Sequence, residues 1–115
     1  MDNRQVSYYI AVLLYESSSQ STQEPKYEPL YEETFVLIQA SSIEEAREKA
    51  NKYAQREQGS YFNEQHEEIT WSLKHIIDVN AVLYEPLEDG TELYARHFRN
   101  YEAYRLFEPF LLGEI

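Results

Sequence analysis

Apolar and polar residues alternate along the start of this chain, then recur at helical spacing, then alternate again. Val6, Tyr8, Ile10, Val12 and Leu14 mark one face of a first strand over Val6–Tyr15, and Tyr9, Ala11, Leu13 and Tyr15 mark the other. Both faces are largely apolar, so this strand is predicted to be central, or covered on both sides. Ser17–Pro25 is polar, rich in Ser and Gln and without period, which predicts a flexible hairpin loop over residues 17–25. A second strand is predicted over Glu28–Ala40. There Thr34, Val36 and Ile38 alternate against Phe35, Leu37 and Gln39, and Pro29 limits the ladder at its start. The hairpin connection implies antiparallel pairing with the first strand.

At Ser41-Ser42 the period changes. Ser42 with Glu45, and Ser41 with Glu44, both fit a capping box, so either serine can accept an orphan amide hydrogen. Ile43, Ala46, Ala50, Tyr53 and Ala54 then form one stripe at helical spacing, and its alanines permit close approach to a sheet. Glu44, Glu45 and Glu48 come early and Lys49, Lys52 and Arg56 late, as the helix dipole favours, with Glu45–Lys49 and Glu48–Lys52 as i,i+4 pairs. Gly59 is the expected stop.

Ser60–Glu67 reads as a loop, and Glu68–Glu85 as a long third strand whose alternation breaks at Ile76-Ile77, predicting a bulge or bend there. Glu88-Asp89-Gly90 is a turn signal leading to a fourth strand, Thr91–Arg99. Tyr101, Tyr104, Phe107 and Leu111 give the C-terminal tail, residues 100–115, a helical character until Pro109. The pattern specifies a single α+β domain over residues 1–115. It is a four-stranded antiparallel sheet in the order β-β-α-β-β-α, with the main helix packed on one face. The doubly apolar first strand needs a second cover, which the C-terminal segment or a second subunit can supply. A homodimer is therefore expected.

Composition narrows the class. A length of 115 residues suits one domain, and the absence of cysteine excludes disulfides and thiolate chemistry. Eleven Tyr and five Phe supply amphipathic area suited to a thin sheet-and-helix domain or an interface. The net charge of −11 opposes binding to a nucleic-acid backbone; it serves solubility, or complements a basic partner. No apolar run approaches the roughly 18 residues of a membrane helix, and Met1–Gln5 lacks a signal pattern. The expectation is a soluble cytoplasmic protein without a membrane partner.

Candidate chemistry is sparse. His66, His75 and His97 are too dispersed for a metal site. His75 and His97 become neighbours only if the third and fourth strands pair, which would define one acid/base or metal pair; ordinary strand histidines explain them more simply. The acidic blocks at Glu28/Glu32/Glu33, Glu64/Glu67/Glu68 and Glu85/Glu88/Asp89/Glu92 do not fit a calcium loop and read as solvated strand ends. From Glu57 to Leu73 there is no Lys or Arg. Arg96, Arg99 and Arg105 alternate with Phe98, Tyr101 and Tyr104, a pattern able to grip a small anion, although internal ion pairs with the acidic blocks account for it as well. Three glycines, Gly59, Gly90 and Gly113, make no phosphate loop, and Ser17-Ser18-Ser19 has neither a base nor a strained turn. No enzyme activity and no cofactor are expected. The candidate ligand or interaction surface is His75, Arg96, His97, Arg99, Tyr101, Tyr104, Phe107 and Phe110.

Several stretches in this order carry a resemblance. They are Tyr8–Tyr15, Tyr31–Ala40, Ile43-Glu44-Glu45-Ala46 through Ala50, Trp71 with Ile77-Asp78-Val79, and Asp89–Arg96. In their sequence and spacing the chain resembles a bacterial family of domains of unknown function, numbered 4288. The resemblance covers most of residues 8–99 and implies no activity or catalytic residue; the Ser/Gln loop and the tail after Arg99 lie outside it.

The function expected from the sequence is that of a non-enzymatic protein-interaction or accessory domain, homodimeric through its aromatic residues and apolar tail (Phe107, Phe110, Leu111 and Leu112). An immunity or inhibitor-type protein that covers a basic partner, such as a nuclease toxin, is the alternative suggested by charge and size. A small-ligand domain using His75, Arg96 and His97 is the third.

Overall fold

One long strand, β1 (Ser7–Ser19), pairs on both sides and carries the core of the computed structural model, which describes residues 5–20 and 26–112. The further elements are β2 (Tyr31–Ala40), α1 (Ile43–Arg56), β3 (Gly59–Phe62), β4 (Glu68–Ala81), α2 (Tyr101–Phe107) and α3 (Pro109–Leu112). The fold is α+β, with a four-stranded antiparallel sheet in the order β2-β1-β4-β3. Among the described residues no helix is long and apolar enough to cross a membrane.

The two apolar faces of β1 meet different covers. Tyr9, Ala11, Leu13 and Tyr15 face α1 and cluster with Ile38 and Ala40 of β2 and with Ala46, Ala50 and Ala54 of the helix. The three alanines are fully buried, so α1 lies close against the sheet and its stripe buries main chain as well as methyl groups. Ser42 is the N-cap: its Oγ accepts the Glu45 amide at 3.1 Å, while the Ser41 hydroxyl donates to the Glu45 carboxylate at 2.8 Å. Glu45 also pairs with Lys49 at 3.6 Å.

The opposite face of β1 carries Ile10 and Val12, buried with Val82 and flanked by Tyr8, Leu87 and Tyr94. Here the structure corrects the sequence reading. Residues 91–99 are not a strand, and the fourth strand of the sheet is instead β3, in a stretch read as helix stop and loop. After β4 the chain leaves the ladder and crosses the outer face as an irregular strap. The Val82 amide donates to the Tyr8 carbonyl at 2.9 Å, and the Tyr8 amide donates to the Glu85 carboxylate at 3.0 Å. A turn at Glu88–Thr91, with Gly90 at φ 91°, then sends the chain back so that Tyr94 lands on Ile10 and Val12. The alternation in 91–99 is weak beside the apolar area that β1 leaves open, and burying an aromatic ring prevails over ladder hydrogen bonds. Cover for Ile10 and Val12 is thus supplied within the chain, by Val82, Leu87 and Tyr94 of the strap.

Two further boundaries move. β1 continues through Ser19, so Ser17–Ser19 belong to a strand; residues 21–25 of the expected loop, and 113–115 of the tail, lie outside the described residues. Ser17 is fully buried, and its Oγ accepts from the Leu30 amide at 2.8 Å and from the Tyr27 hydroxyl at 2.6 Å. This is why the strand outlasts its apolar run: a serine with satisfied hydrogen-bond partners is as acceptable there as an apolar residue. In β4 the expected irregularity at Ile76-Ile77 is present, since Val12 faces Asp78 and Leu13 faces Ile76, leaving Ile77 extra. A second extra residue, Lys74, sits between the partners of Leu14 and Tyr15, and pairs with Glu16 at 3.2 Å.

Candidate functional site

The strap and the C-terminal tail together build a groove on the outer face of the sheet. Phe35 and Glu33 of β2 form one wall. Tyr94, Arg96, Phe98 and Asn100 form the base, with Ala103, Tyr104, Phe107 and Glu108 opposite, around a cavity of about 560 Å³. Alternation along β2 puts Phe35 and Leu37 on this face because Val36 and Ile38 are turned to the helix. Tyr94 fixes the base: its hydroxyl donates to Asp78 at 2.8 Å and its ring meets that of Phe35 at 6.1 Å between centroids. Burial pushes the Tyr94 phenol above its ordinary pKa and the Asp78 carboxylate acts in the same direction, with Arg96 opposing.

α2 starts at Asn100, whose side chain accepts the Ala103 amide at 3.0 Å, and Tyr104 stacks on Phe98 with centroids 4.8 Å apart. Pro109 opens α3 as a separate turn, at a first helical position where its missing N–H costs nothing. α2 buries none of its residues: Phe107 is 71% exposed, and Phe110 beyond it 74%.

Of the eight residues singled out from the sequence, three line this groove: Arg96, Tyr104 and Phe107. Arg99, Tyr101 and Phe110 are exposed nearby on the tail but outside the cavity. The histidines separate from it and from each other. His75 stands on the outer side of β4 opposite Leu14, and His97 lines a hollow of about 190 Å³ with Asn80, Leu83 and Leu93. Because 91–99 does not pair with β4, the hairpin that would have joined His75 to His97 does not exist. Successive residues of the extended strap turn Arg96 and His97 to different hollows, so the trio proposed for a small ligand is not assembled. Arg105 pairs locally at 3.2 Å with Glu102, a residue outside the acidic blocks with which ion pairs were expected. Among the described residues no group of three or more His, Cys, Asp or Glu could hold a metal ion.

A second cavity, of about 540 Å³, lies on the helix side of the sheet beyond the end of α1. Leu13 and Tyr15 of β1 and Glu32, Thr34 and Val36 of β2 line it from the sheet, Tyr53 and Glu57 come from the last turn and cap of α1, Gly59, Ser60 and Tyr61 from β3, and Trp71 from β4. The Tyr15 hydroxyl donates to the Ala54 carbonyl at 3.0 Å. Burial raises its pKa above the usual tyrosine value, and the carboxylates of Glu57 and Glu32 add to the rise. None of these residues forms a local motif, since Tyr15 and Trp71 meet only through strand pairing. The lysine- and arginine-free interval noted from Glu57 onward was the one sign of this region in the sequence.

Neither the curated proteins nor the solved structures contain a significant match to the chain. A family model described as a domain of unknown function does match, over residues 8–95. That span takes in β1 from Tyr8, the other three strands, α1 and the strap through Ala95, and leaves α2 and α3 outside. The chain belongs to the DUF4288 family.

Proposed function

We infer that the protein acts as an interaction domain and that the groove-and-tail surface is where a second copy of the chain docks. The single observation that carries this reading is the apolar tail left without cover: Leu106, Phe107, Phe110 and Leu111 are all more than half exposed beside an unfilled aromatic groove. An apolar surface of this kind on a small protein marks a contact site.

Charge supports self-association at this place in particular. The chain carries −11 overall, so most approaches between two copies are repulsive, yet residues 91–112 contain three arginines and three glutamates in balance. Shape agrees with it. The radius of gyration is 18.0 Å, against about 13 Å for a compact domain of this length, and the long dimension is 59 Å. A chain with an exposed apolar end is suited to exchange that end with a symmetric partner, each tail filling the other's groove.

Sedimentation of the full chain across a concentration series tests the proposal. A monomer–dimer equilibrium is expected, shifted to monomer by Phe107→Glu with Leu111→Glu while the melting temperature of the monomer is kept. A strict monomer at every concentration overturns it.

A further inference from the structure

The helix-side cavity has the chemistry of a receptor for a cation. Its aromatic members are Tyr15, Tyr53, Tyr61 and Trp71, and its ionised members are two carboxylates, Glu32 and Glu57, with no lysine or arginine in its lining. Aromatic faces attract cations through their quadrupoles, most strongly where water is partly excluded, and rings combined with a carboxylate are the recurrent way of holding an ammonium group. The carboxyl end of α1 adds the partial negative charge of the helix dipole at the same spot. Tyr53 already engages a cation on one side, with the Arg56 guanidinium 5.3 Å from its ring centroid. The volume, about 540 Å³, suits a small organic molecule and far exceeds what a bare metal ion requires.

We propose that this cavity binds a small organic cation, an ammonium or guanidinium group on an apolar body, with Trp71 and Tyr61 against the cation and Glu57 and Glu32 as its counter-charges. Val36 at the floor, above the fully buried Leu13, provides the apolar contact that a hydrated metal ion would not use. The site is on the other side of the sheet from the self-association groove, and its occupancy is independent of that proposal.

Trp71 is the only tryptophan in the chain, so its fluorescence reports this cavity directly. Titration with choline, with its neutral isostere 3,3-dimethyl-1-butanol and with a blocked lysine ester separates charge from shape. Saturable quenching or shift at millimolar choline or lysine ester is expected, at least tenfold weaker for the isostere. The tighter of the two cations identifies the source as a free quaternary amine or a protein-borne side chain. Glu57→Gln and Glu32→Gln should each weaken binding several-fold, and Asp89→Asn, which removes a charge from the distant turn, should not. Equal responses to choline and its isostere, no response to either cation, or equal weakening by Asp89→Asn would overturn the proposal.

Discussion

Tyr15, at the centre of β1, gives its hydroxyl proton to the carbonyl of Ala54 in the last turn of α1, 3.0 Å away. That carbonyl is one of the four at the helix end without a partner inside the helix. The bond therefore ties the helix terminus to the central strand and closes one side of the helix-side cavity. Tyr15→Phe should keep the ring packing, leave the carbonyl unsatisfied and cost about 1–3 kcal/mol, read from the denaturant midpoint at unchanged slope.

The same phenol predicts a pH dependence. Its pKa is raised in the folded chain above the 10.0 of a free tyrosine, first by burial and then by Glu57 and Glu32. Below pH 10 folded and unfolded chains hold this proton alike and stability does not depend on it. Above that, the unfolded chain loses a proton that the folded chain retains, so stability falls as pH rises. Tyr94, raised by burial and by Asp78, acts in the same sense. Alkaline melts should show a shallower decline for Tyr15→Phe than for the wild type; parallel declines would exclude this origin.

Ser17 is the one buried polar side chain of the described core, and its hydroxyl joins Tyr27 and Leu30 to β1. Ser17→Ala removes an acceptor shared by two donors and should cost about 1–3 kcal/mol. Hydrogen exchange locates the effect: the Leu30 amide should lose protection well beyond the global change.

Ala46, Ala50 and Ala54 are the fully buried centre of the contact between α1 and the sheet, with Ile43 and Tyr53 packed beside them. Ala50→Leu inserts three carbon atoms where none fits, with a cost of about 1–3 kcal/mol or more. The exposed Asn51→Leu, beside it on the helix, is the control and should leave the melting temperature nearly unchanged.

The tail contributes little to the stability of the sheet, because α2 has no buried residue. Removal of residues 100–115 should leave the far-ultraviolet circular dichroism of the sheet and its melt within about 1 kcal/mol of the parent. A collapse of the fold on truncation would show that the tail is part of the core.

Local signals were legible where a residue's neighbours in sequence are its neighbours in space. Ser42 capping Glu45, the alanine stripe and the irregularity at Ile77 all follow from spacing within a few residues. Thr91–Arg99 failed because the competing attraction, the open face of Ile10 and Val12, lies some eighty residues earlier in the chain. Gly59–Phe62 was missed because its four residues are all exposed, so no burial pattern marks the strand. Of the candidate surface, Arg96, Tyr104 and Phe107 come together since the strap and α2 are contiguous in sequence. His75 and His97 depended on a pairing that the strap replaces. The cation cavity draws on β1, β2, α1, β3 and β4, and only tertiary structure assembles it.

The two extra residues in β4 have an effect beyond bending the strand. In an unbroken strand His75 would share the side of Leu73, turned toward α1, and Ile76 would point away. The extra Lys74 exchanges them, placing His75 opposite Leu14 and Ile76 opposite Leu13, and the extra Ile77 restores the count so that Val79 returns to the helix side. The inversion is confined to the window between the two irregularities. An ionisable ring is thereby kept out of the interior by backbone parity alone, and a strand ironed flat at either point would have to accept it.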